Sequence, residues 1–188
     1  SDVIDWCMSL IKADHVKEER ITRLVERFTH IGETAMRDLP IYNHNLEVEA
    51  LGFQLTDDGW LGVLITPWFI NVIMLPEQKS VATVPLGDKV THELASGEHV
   101  FSVGEDDELG RYDFITLASP TLNFKSQQAA REAAEKACAK LLTPPEQYQE
   151  QIPEQAVEFV SPQQKGKQRR EFLRGLVGKG DSNAGKSG

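Results

Sequence analysis

A nearly continuous apolar run at residues 60–76, WLGVLITPWFINVIMLP, constrains the fold of this chain more than any other stretch. Its second half, INVIMLP, shows no alternation of polar and apolar residues, which is typical of a strand that is covered on both faces. Thr66 and Pro67 divide the run, because proline donates no ladder hydrogen bond and belongs at an edge, a bulge or a bend. The run therefore predicts two strands separated by a bend, the second of them buried on both faces.

Helices are predicted on either side of a region of short strands. Residues 16–39 carry apolar side chains at three- and four-residue steps and end before Pro40, which predicts an amphipathic helix; a shorter helix is predicted before it. Strands are predicted at 46–55, 60–66, 70–76, 81–85, 98–104 and 111–118, and a second helix at 126–142 with Ser126 as its N-cap. Strands in runs favour an α+β fold, a single domain whose mainly antiparallel sheet is packed by an N-terminal and a C-terminal helix.

The composition divides the chain into three parts. Residues 1–143 form the predicted domain, 144–164 a linker rich in Pro and Gln, and 165–188 a basic, largely disordered and flexible C-terminal tail. The tail has seven basic and two acidic residues, a net charge of +5, which leaves −14 for the remainder of a chain whose total is −9. An acidic body of this kind argues against binding to nucleic acid or to anionic membranes.

Several further properties exclude whole classes of protein. No apolar run reaches the roughly 18 residues that span a bilayer, and the N-terminus lacks the basic region of a secretory signal, so we expect a cytoplasmic protein without membrane insertion. The two cysteines, Cys7 and Cys138, have no C-x-x-C spacing, which predicts buried free thiols.

A nucleotide-binding motif occurs near the end of the sequence. Gly180, Gly185, Lys186 and Ser187 match G-x-x-x-x-G-K-S. This loop works between a strand and a helix whose N-terminus faces the phosphate. Low-complexity residues precede the motif and the sequence stops one residue after Ser187, so we expect no nucleotide binding.

No catalytic or metal-binding pattern is recognisable in the rest of the sequence. The five histidines are scattered without metal-ligand spacing, and there is no G-x-S-x-G. The acidic stretch at 104–108, GEDDE, lacks the twelve-residue calcium-loop pattern and is interpreted as a solvated turn. The sequence therefore predicts no catalytic residue, no metal and no cofactor, and a protein that is not an enzyme.

Two aromatic and apolar features are candidates for protein binding. The first is Thr66, Pro67, Trp68 and Phe69, where an aromatic pair at a bent strand edge either closes the core or lines a groove for a peptide. The second is Arg169, Arg170, Phe172 and Leu173, which match a twin-arginine export consensus in letter order but lie at the wrong end of the chain for export. A short amphipathic segment docked on the acidic body is the alternative interpretation of the second feature.

Several segments, taken in order, resemble the HybE/HupJ family of nickel–iron hydrogenase assembly chaperones. They are RLVERFTHIGETAMRDLPIYNHNLEVEA, GVLITPWFINVIMLP, HVFSVGEDDELGRYDFITLASP and RREFLRG, and the resemblance extends from about Thr22 to Gly175. Positions that match the family are Thr66, Pro67 and Trp68, then Gly104 and Glu105, then Arg169, Arg170, Phe172 and Leu173.

The resemblance implies a cytoplasmic, non-enzymatic maturation factor. Its partners would be the small or large subunit precursor of a nickel–iron hydrogenase, especially a small subunit with a twin-arginine signal, and a rubredoxin-like accessory protein. From the residues we add the hypothesis that the acidic body attracts a basic signal peptide and that RREFLR competes with it as an internal mimic. A small-ligand pocket on the same sheet, or an enzyme of unknown chemistry, stays open as an alternative.

Overall fold

The computed structural model describes residues 2–77 and 84–147 of the 188-residue chain, and in these ranges six antiparallel strands form one sheet. In chain order the elements are α1 (Asp2–Ile31), a π-helical turn (Gly32–Met36), β1 (Glu49–Leu55), β2 (Gly59–Ile65), β3 (Ile70–Pro76), β4 (Lys89–Leu94), β5 (Gly97–Asp106), β6 (Gly110–Ala118) and α2 (Gln127–Leu142). The strand order in the sheet is β1-β2-β3-β6-β5-β4. The α+β prediction with a mainly antiparallel sheet between two helices is confirmed.

The apolar run supplies the two strands with every residue buried, β2 and β3. Side chains alternate between the two faces of a strand, so each strand contributes to two cores. Val63 and Val72 belong to the core that contains α2, whereas Leu64 and Ile73 belong to the core that contains α1. Continuous hydrophobicity in 60–76 therefore reflects one helix on each face. Burial on both faces was predicted for the second strand, and β2 shares it.

The sheet curls strongly around the face that carries α2. Three strands separate β2 from β4 in the sheet order, which would put them about 19 Å apart in a flat sheet. Nevertheless Asp58, the residue before β2, has its carboxylate 2.7 Å from the ring of His92 on β4. We call the face with α2 the concave face and the face with α1 the convex face.

Helix α1 differs from the prediction at both ends. One continuous helix, Asp2–Ile31, replaces the two predicted helices, because neither Pro nor Gly interrupts the sequence between them. The regular helix ends well before Leu39. At Gly32 the chain lies against Trp68, where an added Cβ would be 3.1 Å from the indole ring, and a π-helical turn follows. None of the helices in the described ranges is long and apolar enough to cross a membrane.

Strand β4 was not predicted. Of the strand predicted at 81–85, residues 84 and 85 are not in a strand, whereas 81–83 lie outside the described residues. In β4 the inward positions Val90, His92 and Leu94 alternate with exposed polar residues. Because histidine is a polar residue, His92 obscures the alternation of apolar and polar side chains that would have identified this strand.

Helix α2 agrees closely with its prediction. The Ser126 hydroxyl accepts a hydrogen bond from the Ala129 amide at 3.2 Å, which confirms the N-cap. Ala130 and Ala134 are fully buried and form the centre of its packing face. Cys138 is a free thiol packed beside Gly52, and its burial raises the pKa of the thiol. The Cys7 side chain lies outside the described part of the structure.

Candidate protein-binding site

The residues Thr66–Phe69 form a tight turn between β2 and β3. Thr66 is fully buried, and its hydroxyl donates to the carbonyl of Phe69 at 2.9 Å. The same oxygen accepts the amide hydrogens of Trp68 at 3.3 Å and of Phe69 at 2.9 Å. One side chain thus replaces the ladder bonds that Pro67 interrupts, which explains why threonine precedes the proline.

The Pro67 carbonyl joins this turn to two distant segments. It accepts the Asn43 amide hydrogen at 2.8 Å and the Thr121 hydroxyl at 2.6 Å. The Asn43 side-chain amide in turn donates to the carbonyls of Thr121 at 2.8 Å and Phe124 at 2.9 Å. The turn, the loop before β1 and the segment after β6 are therefore locked together at one end of the sheet.

Trp68 lies in the convex-face core and closes it. Its indole is only 7% exposed and packs against Phe28, with ring centroids 6.5 Å apart, and against Tyr42 at 6.2 Å. Phe69 is half-buried and meets the Phe28 ring edge-on at 5.6 Å. The core-closing interpretation therefore describes the position of Trp68. A contribution of Trp68 to protein binding stays a prediction. Because the indole is buried, Trp68 would contribute through the shape of the turn.

Apolar side chains are exposed around the locked turn. Leu39, Ile41 and Leu122 are 44%, 39% and 46% exposed. Leu39 and Ile41 precede Asn43 in the loop before β1, and Leu122 follows Thr121, so all three lie on the segments that bind Pro67. We call these three residues the turn patch. Sequence reasoning missed them, although apolar residues on both sides of Pro40, in a loop, were a usable signal.

The structure does not bring Gly104 and Glu105 together with the turn. They pair with Tyr112 and Arg111 near the end of the sheet opposite to Thr66. A Cβ on Gly104 would lie 2.8 Å from the Tyr112 ring, so glycine is needed there to admit the aromatic side chain. Glu105 is exposed. The remaining predicted site residues, Arg169, Arg170, Phe172 and Leu173, lie outside the described residues.

The acidic loop is not simply a solvated turn, because Asp106 holds α1. The Arg27 guanidinium donates to both oxygens of the Asp106 carboxylate at 3.1 and 3.0 Å, and also to Glu108 at 3.0 Å. Burial raises the pKa of Asp106. The hydrogen bonds from the backbone amides of Glu108 and Leu109 and from Arg27 lower it by a larger amount, so the net shift of the pKa is downward. The loop therefore anchors the helix electrostatically.

A chain of four charged side chains, with a buried centre, crosses the concave face. The two ring nitrogens of His92 lie 2.7 Å from Asp58 and 2.7 Å from Asp113, and Arg111 donates to Asp113 at 3.0 Å. Burial lowers the pKa of His92, but the bonds to Asp113 and Asp58 and their charges outweigh it and raise the pKa overall. Burial raises the pKa of Asp113, yet His92 and Arg111 lower it overall. We call Asp58, His92, Asp113 and Arg111 the charged chain; sequence reasoning missed it.

Two surface concavities lie beside α1. The first, of about 160 Å³, lies between the helix and the β5–β6 loop. Its lining residues are Arg23, Glu26, Arg27, His30, Glu108 and Leu109. The other, of about 420 Å³, is an open depression along the helix between His15 and Glu26. Neither has the enclosed apolar lining expected of a small-ligand pocket. Within residues 2–77 and 84–147, no three His, Cys, Asp or Glu side chains are arranged to hold a metal ion.

Comparison with known proteins gives consistent matches over most of the chain. The family model described as "NiFe-hydrogenase assembly, chaperone, HybE" matches residues 19–175. The "Hydrogenase expression/formation protein HupJ" of Bradyrhizobium diazoefficiens is 38% identical over 154 residues, which are 82% of this chain and 86% of that protein. The "Probable rubredoxin HupJ" of Rhodobacter capsulatus is 33% identical over 119 residues, 62% of this chain and 42% of that protein.

One solved structure has the same fold. The solution structure of HybE from Escherichia coli matches with a TM-score of 0.55 and 22% sequence identity, covering 76% of this chain and 90% of that one. At this identity the match concerns the fold alone.

Proposed function

The chain belongs to the HybE family of nickel–iron hydrogenase assembly chaperones, and from this premise we propose that it holds a hydrogenase subunit precursor before export. The proposed client is the small subunit that still carries its twin-arginine signal, and the proposed compartment is the cytoplasm. Binding is non-covalent, and the protein performs no catalysis on its client. A rubredoxin-like accessory protein is a further proposed partner, since one relative is named as a probable rubredoxin.

The turn patch is the observation that carries this proposal. Its three aliphatic side chains are exposed on segments that are fixed by hydrogen bonds to Pro67 and Asn43. A fixed apolar surface binds a client segment without a large ordering cost, because the backbone beneath it is already held. The Thr66–Phe69 turn holds both segments that carry the patch, because the Pro67 carbonyl accepts hydrogen bonds from Asn43 and Thr121. This motif, which contains Thr66, Pro67, Trp68 and Phe69, is therefore proposed to affect client binding through the shape of the patch.

Charge adds long-range attraction to this apolar contact. Lys165 and the residues after it carry +5, and the preceding residues carry −14. A precursor with a basic signal is therefore drawn towards the body, and the attraction weakens as the ionic strength rises. The basic stretch that contains Arg169 and Arg170 is proposed to occupy the same surface until a client displaces it.

The decisive experiment measures the affinity of the full chain for three proteins. These are the small subunit precursor with its signal, the same subunit without the signal, and the large subunit precursor. We expect the first to bind at least about tenfold more tightly than the others, which corresponds to about 1.4 kcal/mol. Equal affinity for all three, or no binding, contradicts the proposed function.

Replacing Leu39 and Ile41 together with serine is expected to weaken client binding about 10- to 30-fold. Each exposed apolar anchor contributes about 1 kcal/mol or more when it is buried by a partner. The fold should be unaffected, since surface substitutions change stability by only about 0.5 kcal/mol. Isothermal calorimetry with the precursor measures the affinity, and urea unfolding checks the stability.

The matched control for this variant replaces Leu55 and Leu86 with serine. These leucines are 52% and 66% exposed and lie towards the opposite end of the sheet. The control should bind the precursor as the wild type does. Equal losses in both double variants would mean that general surface hydrophobicity, and not the turn patch, holds the client.

Replacing Arg169 and Arg170 with glutamine in the full chain is expected to tighten client binding about three- to tenfold. Removing a tethered competitor frees the surface, and tethering gives even a weak segment a millimolar effective concentration. The control variant replaces Lys179 and Lys186 with glutamine. It loses the same amount of charge, but outside the RREFLR segment. Unchanged or weaker binding by the Arg169 and Arg170 variant would disprove competition by this segment.

A further inference from the structure

The two edges of the sheet differ in how they are protected. At the β1 edge the pairing with β2 shifts between Leu51 and Gln54, and Gly52 has a φ of 65°. The Gln127 side chain of α2 also bonds to the backbone of Glu47, whose amide donates to the side-chain oxygen at 2.9 Å. A bulge and a covering element are two common ways in which an edge strand is kept from pairing with another chain.

Strand β4, at the opposite edge, is regular along its whole length. Its residues pair with β5 from Lys89 with Ser102 to Leu94 with Gly97, without a register shift. Its sequence, KVTHEL, contains neither proline nor glycine. In the described part of the chain, no other strand pairs with β4 on its outer side. This edge therefore presents a template for pairing with a further strand.

Alternate residues of β4 direct their backbone groups away from the sheet. The Val103 amide of β5 donates to the carbonyl of Asp88, just before β4, at 2.9 Å. In an antiparallel ladder the bonded positions recur at every second residue, so the even-numbered residues of β4 face β5. The N–H and C=O groups of Lys89, Thr91 and Glu93 therefore point outward, and these groups have no hydrogen-bond partner among the residues that the structure describes.

The same three positions carry the exposed side chains of the strand. Lys89, Thr91 and Glu93 are exposed, whereas the residues between them point to the concave side and are buried or half-buried. Neither Lys89 nor Glu93 forms an ion pair within the described ranges. Glu93 lies directly opposite Glu98 of β5, and like charges in this arrangement destabilise a sheet. A lysine on the open side of Glu93 would offset this repulsion.

We propose that two copies of the chain associate through this edge, with their β4 strands antiparallel and the two-fold axis at Thr91. The inference goes beyond the proposed function and does not depend on it. Thr91 then lies opposite Thr91 of the second copy, and Lys89 of each copy lies opposite Glu93 of the other. Opposed residues in an antiparallel pair have Cβ atoms about 5 Å apart, so the lysine reaches the carboxylate.

Hydrogen bonding and charge select the same register. In each of these pairs the backbone groups of both residues point towards the other strand, so each pair exchanges both N–H···O bonds. An axis at Val90 would place Thr91 opposite Lys89. An axis at His92 would place Thr91 opposite Glu93, and in both cases the charges stay unmatched. The strand is complementary to itself about Thr91, as an isologous two-fold interface requires, and this favours a second copy as its partner.

The resulting dimer joins two six-stranded sheets into one continuous sheet. Its axis is perpendicular to the sheet, so the convex faces of both copies, each with its α1, lie on the same side. One pair of edge strands is a small interface, and the net charge of −9 on each copy opposes association. We therefore expect a weak, reversible dimer with a Kd on the order of 10 µM.

Sedimentation velocity of the full chain at about 1–200 µM and about 0.15 M salt measures this association. Thr91→Pro removes an outward amide and is expected to weaken the dimer at least about tenfold. An edge strand tolerates proline where the N–H group faces outward, so the fold should be kept, which circular dichroism checks. The control is Thr91→Val, which keeps the amide and the branched shape and should dimerise as the wild type does.

Charge exchange tests the register and the identity of the partner. Lys89→Glu and Glu93→Lys each place like charges opposite each other, so each variant alone should associate at least about tenfold more weakly than the wild type. When the two variants are mixed, opposite charges meet at both ends of the paired strands, and the association should return. Lys136→Glu and Glu135→Lys, which are exposed on α2, are the charge-matched controls and should associate as the wild type does.

Three results overturn the inference. The first is a wild type that stays monomeric over this concentration range, including the case in which Thr91→Pro weakens binding of the small subunit precursor, because the edge then pairs with the client. The second is a dimer that a folded Thr91→Pro variant leaves equally strong. The third is a mixture of the two charge variants that associates no better than either alone, and this result decides the question if Thr91→Pro does not fold.

Discussion

Replacing Trp68 with alanine is expected to lower the free energy of unfolding by about 3–5 kcal/mol. The indole lies between α1 and the sheet and contacts Phe28, Tyr42 and Phe69, so its removal leaves a cavity that these rings cannot fill without moving. Gly32 also packs on this ring. Urea unfolding followed by circular dichroism measures the effect.

Two further variants show whether the effect belongs to this position. Leu55→Ala, at an exposed leucine, should change the free energy of unfolding by no more than about 0.5 kcal/mol, whereas Trp68→Phe should recover part of the loss because it keeps an aromatic ring. A loss below about 1 kcal/mol in Trp68→Ala would mean that the indole is not a core residue. Client binding is compared only in variants that remain folded at the assay temperature.

Replacing Asp113 with alanine is expected to lower the free energy of unfolding by about 3–5 kcal/mol, because it removes a fully buried carboxylate that neutralises both His92 and Arg111. The carboxylate has no exposed surface and binds both His92 and Arg111. Asp58, which is 43% exposed, binds the other nitrogen of the same ring, so Asp58→Ala should cost less, about 1 kcal/mol. Thermal and urea unfolding of the two variants give the comparison. Equal losses would contradict the burial argument.

The charged chain also predicts how stability depends on pH. Because the pKa of His92 is raised in the folded protein, its contribution is complete below the ordinary value of about 6.5 and is lost as the pH rises through the raised pKa. The pKa of Asp113 is lowered, so its contribution is lost only when the pH falls below about 3.9 and through the lowered pKa. The free energy of unfolding should therefore decrease above pH ~6.5 in the wild type.

His92→Gln provides the control for this pH dependence. Glutamine keeps a polar side chain without a titrating ring, so the decrease above pH ~6.5 should disappear from its stability profile. Measurements of urea midpoints between pH 5.5 and 9 are sufficient. A wild-type profile that rises through this range, or a decrease that persists in His92→Gln, would show that the imidazole is not held in its charged form.

The element types were predictable because their signals are local. The apolar run at 60–76, the cap at Ser126 and the break before Pro40 each concern neighbouring residues, and the structure confirms the two strands and the cap. Strand β4 escaped detection because one inward position is a histidine, which satisfies the buried environment only through carboxylates far away in sequence. Local patterns could not reveal that pairing.

The candidate site was predictable only in part. The Thr66–Phe69 motif was recognised as unusual, but its sequence is compatible with both a buried turn and an exposed groove. The choice depends on Gly32 and Tyr42, which come from a segment more than twenty residues away and cover the indole. The sequence analysis also missed the exposed side chains that surround the turn, Leu39, Ile41 and Leu122. The apolar residues on both sides of Pro40 were a usable signal for the first two, whereas their position beside the turn is a property of the tertiary structure.

By itself, the sequence determined most of the helices and strands, with the exception of β4, as well as the burial of residues 70–76 on both faces and the order of an acidic body before a basic end. These properties follow from side-chain periodicity, from backbone restriction at Pro and Gly, and from charge. Each of them depends only on residue types and on neighbours in the sequence. Tertiary structure alone decided that the sheet curls, and this brings Asp58 to His92 across three intervening strands. Strand twist and helix packing produce the curl, so contacts across it depend on the whole sheet at once.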